Sequence, residues 1–200
     1  LIASVVTSYI LGMGMSAIAC YVFLAIITAP GLVLAGVNRM AAHLFILYCG
    51  MLSYITLPVA LAVYPAAALA KVSPNRVGIR AIRLGAALFI LPFFFVEDPN
   101  LLLQGEIWEF LLPFTRIAVA MYILGCTFEG YIIGIGWLIF KGLSGYLAFA
   151  ALIISAILVG TKNILTTIIG LAITIIILFL MFITKNIKYD ILKKSISNYD

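Results

Sequence analysis

Two uncharged, apolar stretches of the sequence are each interrupted by residues that break a helix and leave oxygen atoms free. The interrupting residues are Gly12, Gly14 and Ser16 in the first stretch and Ser53, Thr56 and Pro58 in the second. Glycine lowers helix stability by about 1 kcal/mol per site, and proline removes an amide donor and clashes with the preceding turn. We therefore expect both helices to open at these points and to present carbonyl and hydroxyl oxygens.

Neutral oxygens at these breaks would suit a particular kind of ion. No carboxylate precedes Glu97, and a divalent cation normally demands carboxylate ligands. The pattern therefore predicts a monovalent hard cation, Na⁺, held by Gly12, Gly14, Ser53 and Thr56. Paired interrupted helices near the bilayer midplane bind ions and anionic substrates in transporters. The alternative is that glycine and proline only kink two packed helices, as they often do in membranes.

Two other residues offer different chemistry. Glu129 lies within an apolar run, and an intramembrane carboxylate is by default a functional hypothesis. It predicts a proton-coupled carrier. The alternative is that Glu129 pairs with a neighbouring helix or reaches the membrane surface.

Ser144 lies in Gly-Leu-Ser-Gly, the GxSG pattern of rhomboid-type intramembrane proteases. That reaction needs a histidine to activate the hydroxyl, and no histidine follows His43. This disfavours an enzyme, and we expect a structural role for His43.

Composition indicates a membrane protein. Hydrophobic residues make up 66% of the 200 residues and charged residues 10%, against about 25% charged in soluble proteins. Too few polar groups remain to cover a soluble globule, so lipid must solvate most of the surface. The net charge of +5 is concentrated beside apolar runs, as in cytoplasmic loops, and does not indicate nucleic-acid binding. The isolated cysteines Cys20, Cys49 and Cys126 are expected to pack as small hydrophobic residues.

The order of apolar and charged segments predicts an all-α polytopic membrane protein. After the two broken segments comes a basic stretch, residues 71–83, whose Arg76, Arg80 and Arg83 share one helical face and are expected to contact lipid headgroups. An apolar helix over 84–96 follows, and then an acidic interfacial segment over 99–115. Three further spans are predicted over 117–140, 143–161 and 164–184.

The charges give a consistent orientation. With residues 71–83 in the cytoplasm, Glu97–Glu109 falls outside, Lys141 inside and Lys162 outside, and the lysine tail returns to the inside. Position 1 is leucine and the first charged residue is Arg39, so the chain has neither a start methionine nor a basic signal-peptide region. We expect it to be a piece of a longer protein that begins within the membrane.

Four stretches carry a family resemblance: LGMGMSAIACY from Leu11, IITAP from Ile26, AAHLF from Ala41 and MLSYITLPVALA from Met51. They resemble the large membrane subunit of tripartite ATP-independent periplasmic (TRAP) transporters, in the variants that fuse the small and large subunits. The family pattern reads LGMGMPTTAAY, AAHLF and Ser-x-x-Thr-Pro-Pro-Val-Ala. Ser16 and Leu57 replace two of the family's prolines. The resemblance covers about residues 11–104, and residues 105–184 resemble the family's additional C-terminal helices only loosely.

The resemblance implies an elevator-type secondary transporter that imports a small organic anion of the carboxylate class with Na⁺. Gly12–Ser16 would form the tip of the second re-entrant hairpin, and Ser53–Pro58 the break of the following helix. An extracytoplasmic solute-binding protein would deliver the substrate. Only one of the family's two inverted halves is present, so the N-terminal remainder of the permease is an expected partner and this chain alone should not transport.

The resulting division of the chain has four parts. Residues 1–70 would hold the hairpin and broken helix of the transport domain, and 71–104 the basic cytoplasmic connector with the following membrane helix. Residues 105–184 would be additional C-terminal membrane helices, and 185–200 a basic cytoplasmic tail. The expected location is the cytoplasmic (inner) membrane of a bacterium or archaeon, with lipid as a partner and no cofactor besides the coupling ion.

Overall fold

The computed structural model describes residues 1–132, 136–137 and 142–197. In this part of the chain the protein is all-α, apart from one pair of two-residue strands, and the all-α prediction is confirmed. The helices are α1 (Ile2–Gly12), α2 (Ala17–Ile27), α3 (Ala29–Leu34), α4 (Arg39–Leu52), α5 (Val63–Ala70), α6 (Pro74–Leu84), α7 (Leu91–Glu97), α8 (Ile107–Glu129), α9 (Gly142–Gly160) and α10 (Ile164–Ser197). The strands β1 (Tyr131–Ile132) and β2 (Gly136–Trp137) pair antiparallel, with Tyr131 opposite Trp137.

Helices α1 and α2 form a hairpin whose tip is residues 13–16. The first helix ends because Met13 is extended and Gly14 takes φ +82°, a conformation that favours glycine. The second helix begins at the N-cap residue Ser16, whose hydroxyl accepts a hydrogen bond from the Ala19 amide at 3.3 Å. The expected opening of the helix in this region is confirmed.

The next helix is also interrupted where the sequence predicts. Asn38 caps the start of α4 by accepting hydrogen bonds from the amides of Met40 and Ala41. Regular helix stops at Leu52, and residues 53–62 form a series of turns before α5 begins. The Leu57–Pro58 peptide bond within these turns is cis.

Helix α6 and the segment after it form a bent arm. The arm combines α6 with Ala86–Glu97, and the two parts meet at an angle of 64°. Gly78 of α6 lies against Leu57, since an added Cβ would be 3.1 Å from the leucine side chain. A Cβ at Gly85 would lie 2.7 Å from the end of the Ile55 side chain. The arm therefore packs directly on the interrupted part of the preceding helix.

The position of the next span differs from the sequence prediction. Helix α8 covers Ile107–Glu129, so the predicted span over 117–140 is wrong, and much of the predicted interfacial segment over 99–115 belongs to this helix. Glu109 in the first turn favours an early helix start. Pro113 is accommodated inside the helix, as membrane helices permit. Gly130, at φ +69°, ends it.

Two helical segments are long and apolar enough to cross a membrane: Ile107–Glu129 and Ile164–Met181. The bent arm would add a third crossing if it is counted as one span. These findings, which concern the described residues, support an integral membrane protein.

Two contacts join residues that the predicted orientation puts on the same side of the membrane, while the orientation itself stays a prediction. Glu97 accepts a hydrogen bond from the Lys162 amide at 3.0 Å, and Arg83 contacts the end of α8. Lys141 lies outside the described residues, as do the side chains of the lysine tail.

The described helices bury two hydrophobic clusters. The first joins the hairpin to α3 and α4 around Leu24, Phe45 and Ile46, each of which is fully buried. The second joins the bent arm to α8 and α9 around Phe94, Leu124 and Ala156. The helix breaks lie at the end of the first cluster, where α4 stops.

A candidate cation site between two helix breaks

The two interruptions predicted from the sequence meet in space. A Cβ added at Gly12 would lie 2.6 Å from the Ser53 hydroxyl oxygen and 2.7 Å from the Gly50 carbonyl oxygen. Glycine is thus required at the end of α1, because a side chain would collide with α4. On the other arm of the hairpin, Cys20 lies close to Gly50 of α4. A Cβ added at Gly50 would be 2.8 Å from the Cys20 sulfur. Both arms therefore approach the end of α4 through glycine contacts.

A side chain also joins the two breaks. The Tyr54 hydroxyl donates a hydrogen bond to the carbonyl oxygen of Met15 at 2.8 Å. The hairpin tip is therefore bonded to the first turn of the helix break. This role of Tyr54 was not predicted, since a tyrosine in an apolar run does not reveal its partner.

The two hydroxyls of the helix break are oriented so that their lone pairs remain available. Ser53 donates to the Gly50 carbonyl and Thr56 to the Leu52 carbonyl, each at 2.6 Å. A hydroxyl whose single proton is already donated can act toward a further partner only as an acceptor. The Ser53 side chain is 1% exposed. Both oxygens are therefore able to act as ligands for a cation.

Backbone carbonyls add to the supply of oxygens. Among the described residues, the carbonyls of Gly12, Met13 and Gly14 at the tip accept no hydrogen bond, nor do those of Thr56 and Leu57 in the break. A carbonyl left without a backbone partner in a membrane must find another donor or a cation. The geometry is thus compatible with a cage of neutral oxygens.

The remaining predicted site residues are more exposed than Gly12 and Ser53. Gly14, Ser16 and Pro58 are exposed, and a Cβ at Gly14 would have nothing within 4 Å. The Ser16 hydroxyl caps α2, a role that a hydroxyl performs well and that accounts locally for the serine at this position. Their part in ion binding stays a prediction.

The residues that suggested other chemistry have local partners. Glu129 lies 4.0 Å from the Arg83 Nε, and both side chains are partly exposed. Arg83 also donates to the carbonyls of Phe128 and Glu129, at 2.7 and 3.0 Å, and so caps the end of α8. His43 Nδ1 shares a hydrogen bond with the Tyr21 hydroxyl at 3.1 Å, in agreement with the structural role expected for it. The side chain of Ser144 lies outside the described residues.

Asp98 and Arg116 form a buried ion pair that was not predicted from the sequence. Arg116 Nη2 donates to Asp98 Oδ2 at 2.8 Å, and Nη1 donates to the Lys162 carbonyl at the same distance. The two side chains are 6% and 4% exposed. Arg116 stands one residue before the predicted start of a span, where the rule that intramembrane charges need partners could have pointed to it.

Comparisons with known proteins identify one family. The model of the family "Tripartite ATP-independent periplasmic transporter, DctM component" matches residues 1–110. This match contains both helix breaks and the bent arm and ends within the first turn of α8. Comparison with curated proteins and with solved structures returns no match.

Proposed function

Because the chain belongs to the DctM component family of tripartite ATP-independent periplasmic transporters, we propose that its two helix breaks form half of a Na⁺ and substrate site. The family is one of secondary-transporter permeases and not of enzymes. Within such a permease, the close contact of Gly12 with Ser53 is the observation that carries the proposal. It brings the end of α1 against the start of the helix break, and oxygens from both would then supply the ligands.

Na⁺ fits the oxygens better than a divalent ion does. Within the described residues no group of three or more His, Cys, Asp or Glu side chains could hold a metal. A cation at the breaks would therefore bind uncharged oxygens, which suits a single positive charge. Gly12, Gly14, Ser53 and Thr56 are the proposed ligands.

The ends of the interrupted helices supply the anion side of the proposal. Helix N-termini attract negative charge through their free amides, and α2 begins at the hairpin tip. A small organic anion of the carboxylate class would bind there beside the ion, as in transporters with paired broken helices. Gly12–Ser16 would contact the substrate from the hairpin and Ser53–Pro58 from the helix break.

Several features of the assembly belong to the same proposal. A solute-binding protein would deliver the anion, the N-terminal half of the permease would complete the site, and the hairpin would move with the ion in an elevator-type cycle. Import by Na⁺ symport would take place in the cytoplasmic membrane, with the basic tail in the cytoplasm.

Uptake in proteoliposomes tests Na⁺ coupling. The complete permease containing this chain is reconstituted with its solute-binding protein, and uptake of radiolabelled carboxylates is measured with an inward gradient of Na⁺ or of choline. We expect uptake only with Na⁺. Equal uptake with choline would refute the coupling.

A matched pair of variants tests the site. Thr56→Val removes a hydroxyl that donates to the carbonyl four residues earlier, and Thr115→Val removes the same bond in α8, outside the site. Loss of one ligand should raise the half-saturating Na⁺ concentration about tenfold in the Thr56 variant alone. Equal values in the two variants would remove Thr56 from the site.

A further inference from the structure

We propose that Tyr54 is a positioning residue that holds the hairpin tip against the helix break and thereby keeps the cation site assembled. The inference rests on the proposed function for its effect on Na⁺, but its structural part can be tested without any ion. Tyr54 contributes no proposed ligand atom. It acts through the hydrogen bond from its hydroxyl to the Met15 carbonyl.

Tyr54 is fixed to the helix break by its own backbone. Its amide donates to the Met51 carbonyl at 3.1 Å, and its carbonyl accepts from the Ala62 amide at 3.1 Å. The second bond closes the loop between α4 and α5. The phenol ring therefore extends from a fixed backbone position. The hydrogen bond from its hydroxyl then restrains Met15 relative to the helix break.

The hairpin tip has few other attachments. Gly14 and Ser16 are exposed, and Gly14 would have nothing within 4 Å of an added Cβ. On the α1 side the tip is held by the contact of Gly12 with Ser53. On the α2 side the bond to Met15 is the only hydrogen bond between the tip and the helix break within the described residues. Without it, only apolar packing would hold this side of the tip, that of Met15 on the first buried cluster and that of Cys20 on Gly50.

Movement of the tip would also separate the oxygens. Met15 follows Met13 and Gly14 directly, and the carbonyls of those two residues accept no hydrogen bond in the described part of the chain. The Ser53 and Thr56 hydroxyls remain with the helix break. Breaking the Tyr54 bond would therefore loosen the proposed cage.

Tyr54→Phe removes only the hydroxyl and keeps the ring. Tyr64→Phe is the matched control, since Tyr64 lies on α5 with its side chain about half exposed and has no hydrogen bond among the described residues. The Tyr54 variant loses a hydrogen bond that is partly shielded from water. Its half-saturating Na⁺ concentration should therefore rise about five- to tenfold, and that of the Tyr64 variant should not. The maximal uptake rate should change much less, because no proposed ligand is removed.

A distance measurement reads the position of the tip directly. Spin labels are attached to Ile18→Cys, near the tip, and Leu61→Cys, in the break, both of which are exposed positions. The native cysteines, among them Cys20, Cys49 and Cys126, are replaced by alanine, and the complete permease is placed in lipid nanodiscs without Na⁺. Double electron–electron resonance spectroscopy should give a broader distribution of distances between the two labels in the Tyr54 variant than in the parent or the Tyr64 variant.

The two measurements separate the inference from the proposed function. Identical distance distributions in the three proteins would overturn the inference, whatever uptake shows. If the parent takes up substrate without Na⁺, the proposed coupling fails, while the distances still decide whether Tyr54 holds the tip. Na⁺-dependent uptake with an unchanged half-saturating concentration in the Tyr54 variant would also overturn the inference.

Discussion

Asp98 and Arg116 form a buried ion pair that joins the end of α7 to the middle of α8, with 2.8 Å between Oδ2 and Nη2. Asp98 lies within the part of the chain that matches the family and Arg116 just beyond it. The same guanidinium bonds the Lys162 carbonyl between α9 and α10. This contact connects the C-terminal helices to the family-matched part.

Removing one partner of this pair should destabilise the protein strongly. Asp98→Asn leaves a buried guanidinium without its counter-charge, and such changes cost about 3–5 kcal/mol. Thermal unfolding in lipid nanodiscs, followed by circular dichroism, measures the loss. Glu97→Gln is the control, because its side-chain oxygen can still accept from the Lys162 amide. Equal melting temperatures for the two variants would contradict a structural role for the pair.

Replacing both partners should be better tolerated than replacing one. In Asp98→Leu combined with Arg116→Met, no buried charge remains and apolar atoms fill most of the space, an exchange that is often neutral or stabilising. We expect the double variant to melt well above Asp98→Asn. A double variant as unstable as Asp98→Asn would show that the Lys162 carbonyl bond carries the stabilisation.

Gly12→Ala should separate the two helix breaks. The added methyl group would lie 2.6 Å from the Ser53 hydroxyl and 2.7 Å from the Gly50 carbonyl, so backbone must move, at about 1–3 kcal/mol. We expect a lower melting temperature together with weaker Na⁺ dependence of uptake. Gly125→Ala is the control, since it lies in α8 with nothing within 4 Å of an added Cβ. Matching results for the two alanine variants would contradict the close contact.

Glu129→Gln distinguishes Na⁺ coupling from proton coupling. If Glu129 carried a proton, the variant should abolish transport. Because it lies beside Arg83 at the end of α8 with partial exposure, we expect uptake to persist and stability to fall by less than about 1 kcal/mol. Uptake by the variant and by the parent, each with inward gradients of both Na⁺ and protons, is the measurement. Abolished uptake would favour the proton-coupled alternative.

The helix breaks could be predicted because their cause is local. Glycine and proline disfavour helix at their own positions whatever surrounds them, so Gly12, Gly14 and Pro58 mark the interruptions in the sequence itself. The proximity of the two breaks could be predicted only because both fall at similar depth in neighbouring segments. The fold class could also be predicted, because the shortage of polar residues is a property of the whole chain and does not depend on any particular contact.

What could not be predicted depends on partners distant in sequence. The Tyr54 bond reaches Met15 across 39 residues and the Asp98–Arg116 pair across 18. Nothing local in either segment indicates the contact. The start of α8 was missed because the acidic residues Glu106 and Glu109 suggested an interfacial segment, whereas Ile107–Glu129 is one continuous helix. The functional division of the chain into four parts stays a prediction.

Helix α6 is basic and packs on the loop after α4, so substitutions in α6 can change the conformation of that loop. Gly78 and Gly85 let its backbone lie against Leu57 and Ile55, and their neighbour Thr56 is a proposed ligand. Enlarging Gly78 would push on that loop from behind. A phenotype in ion selectivity can therefore arise at a position that never touches the ion.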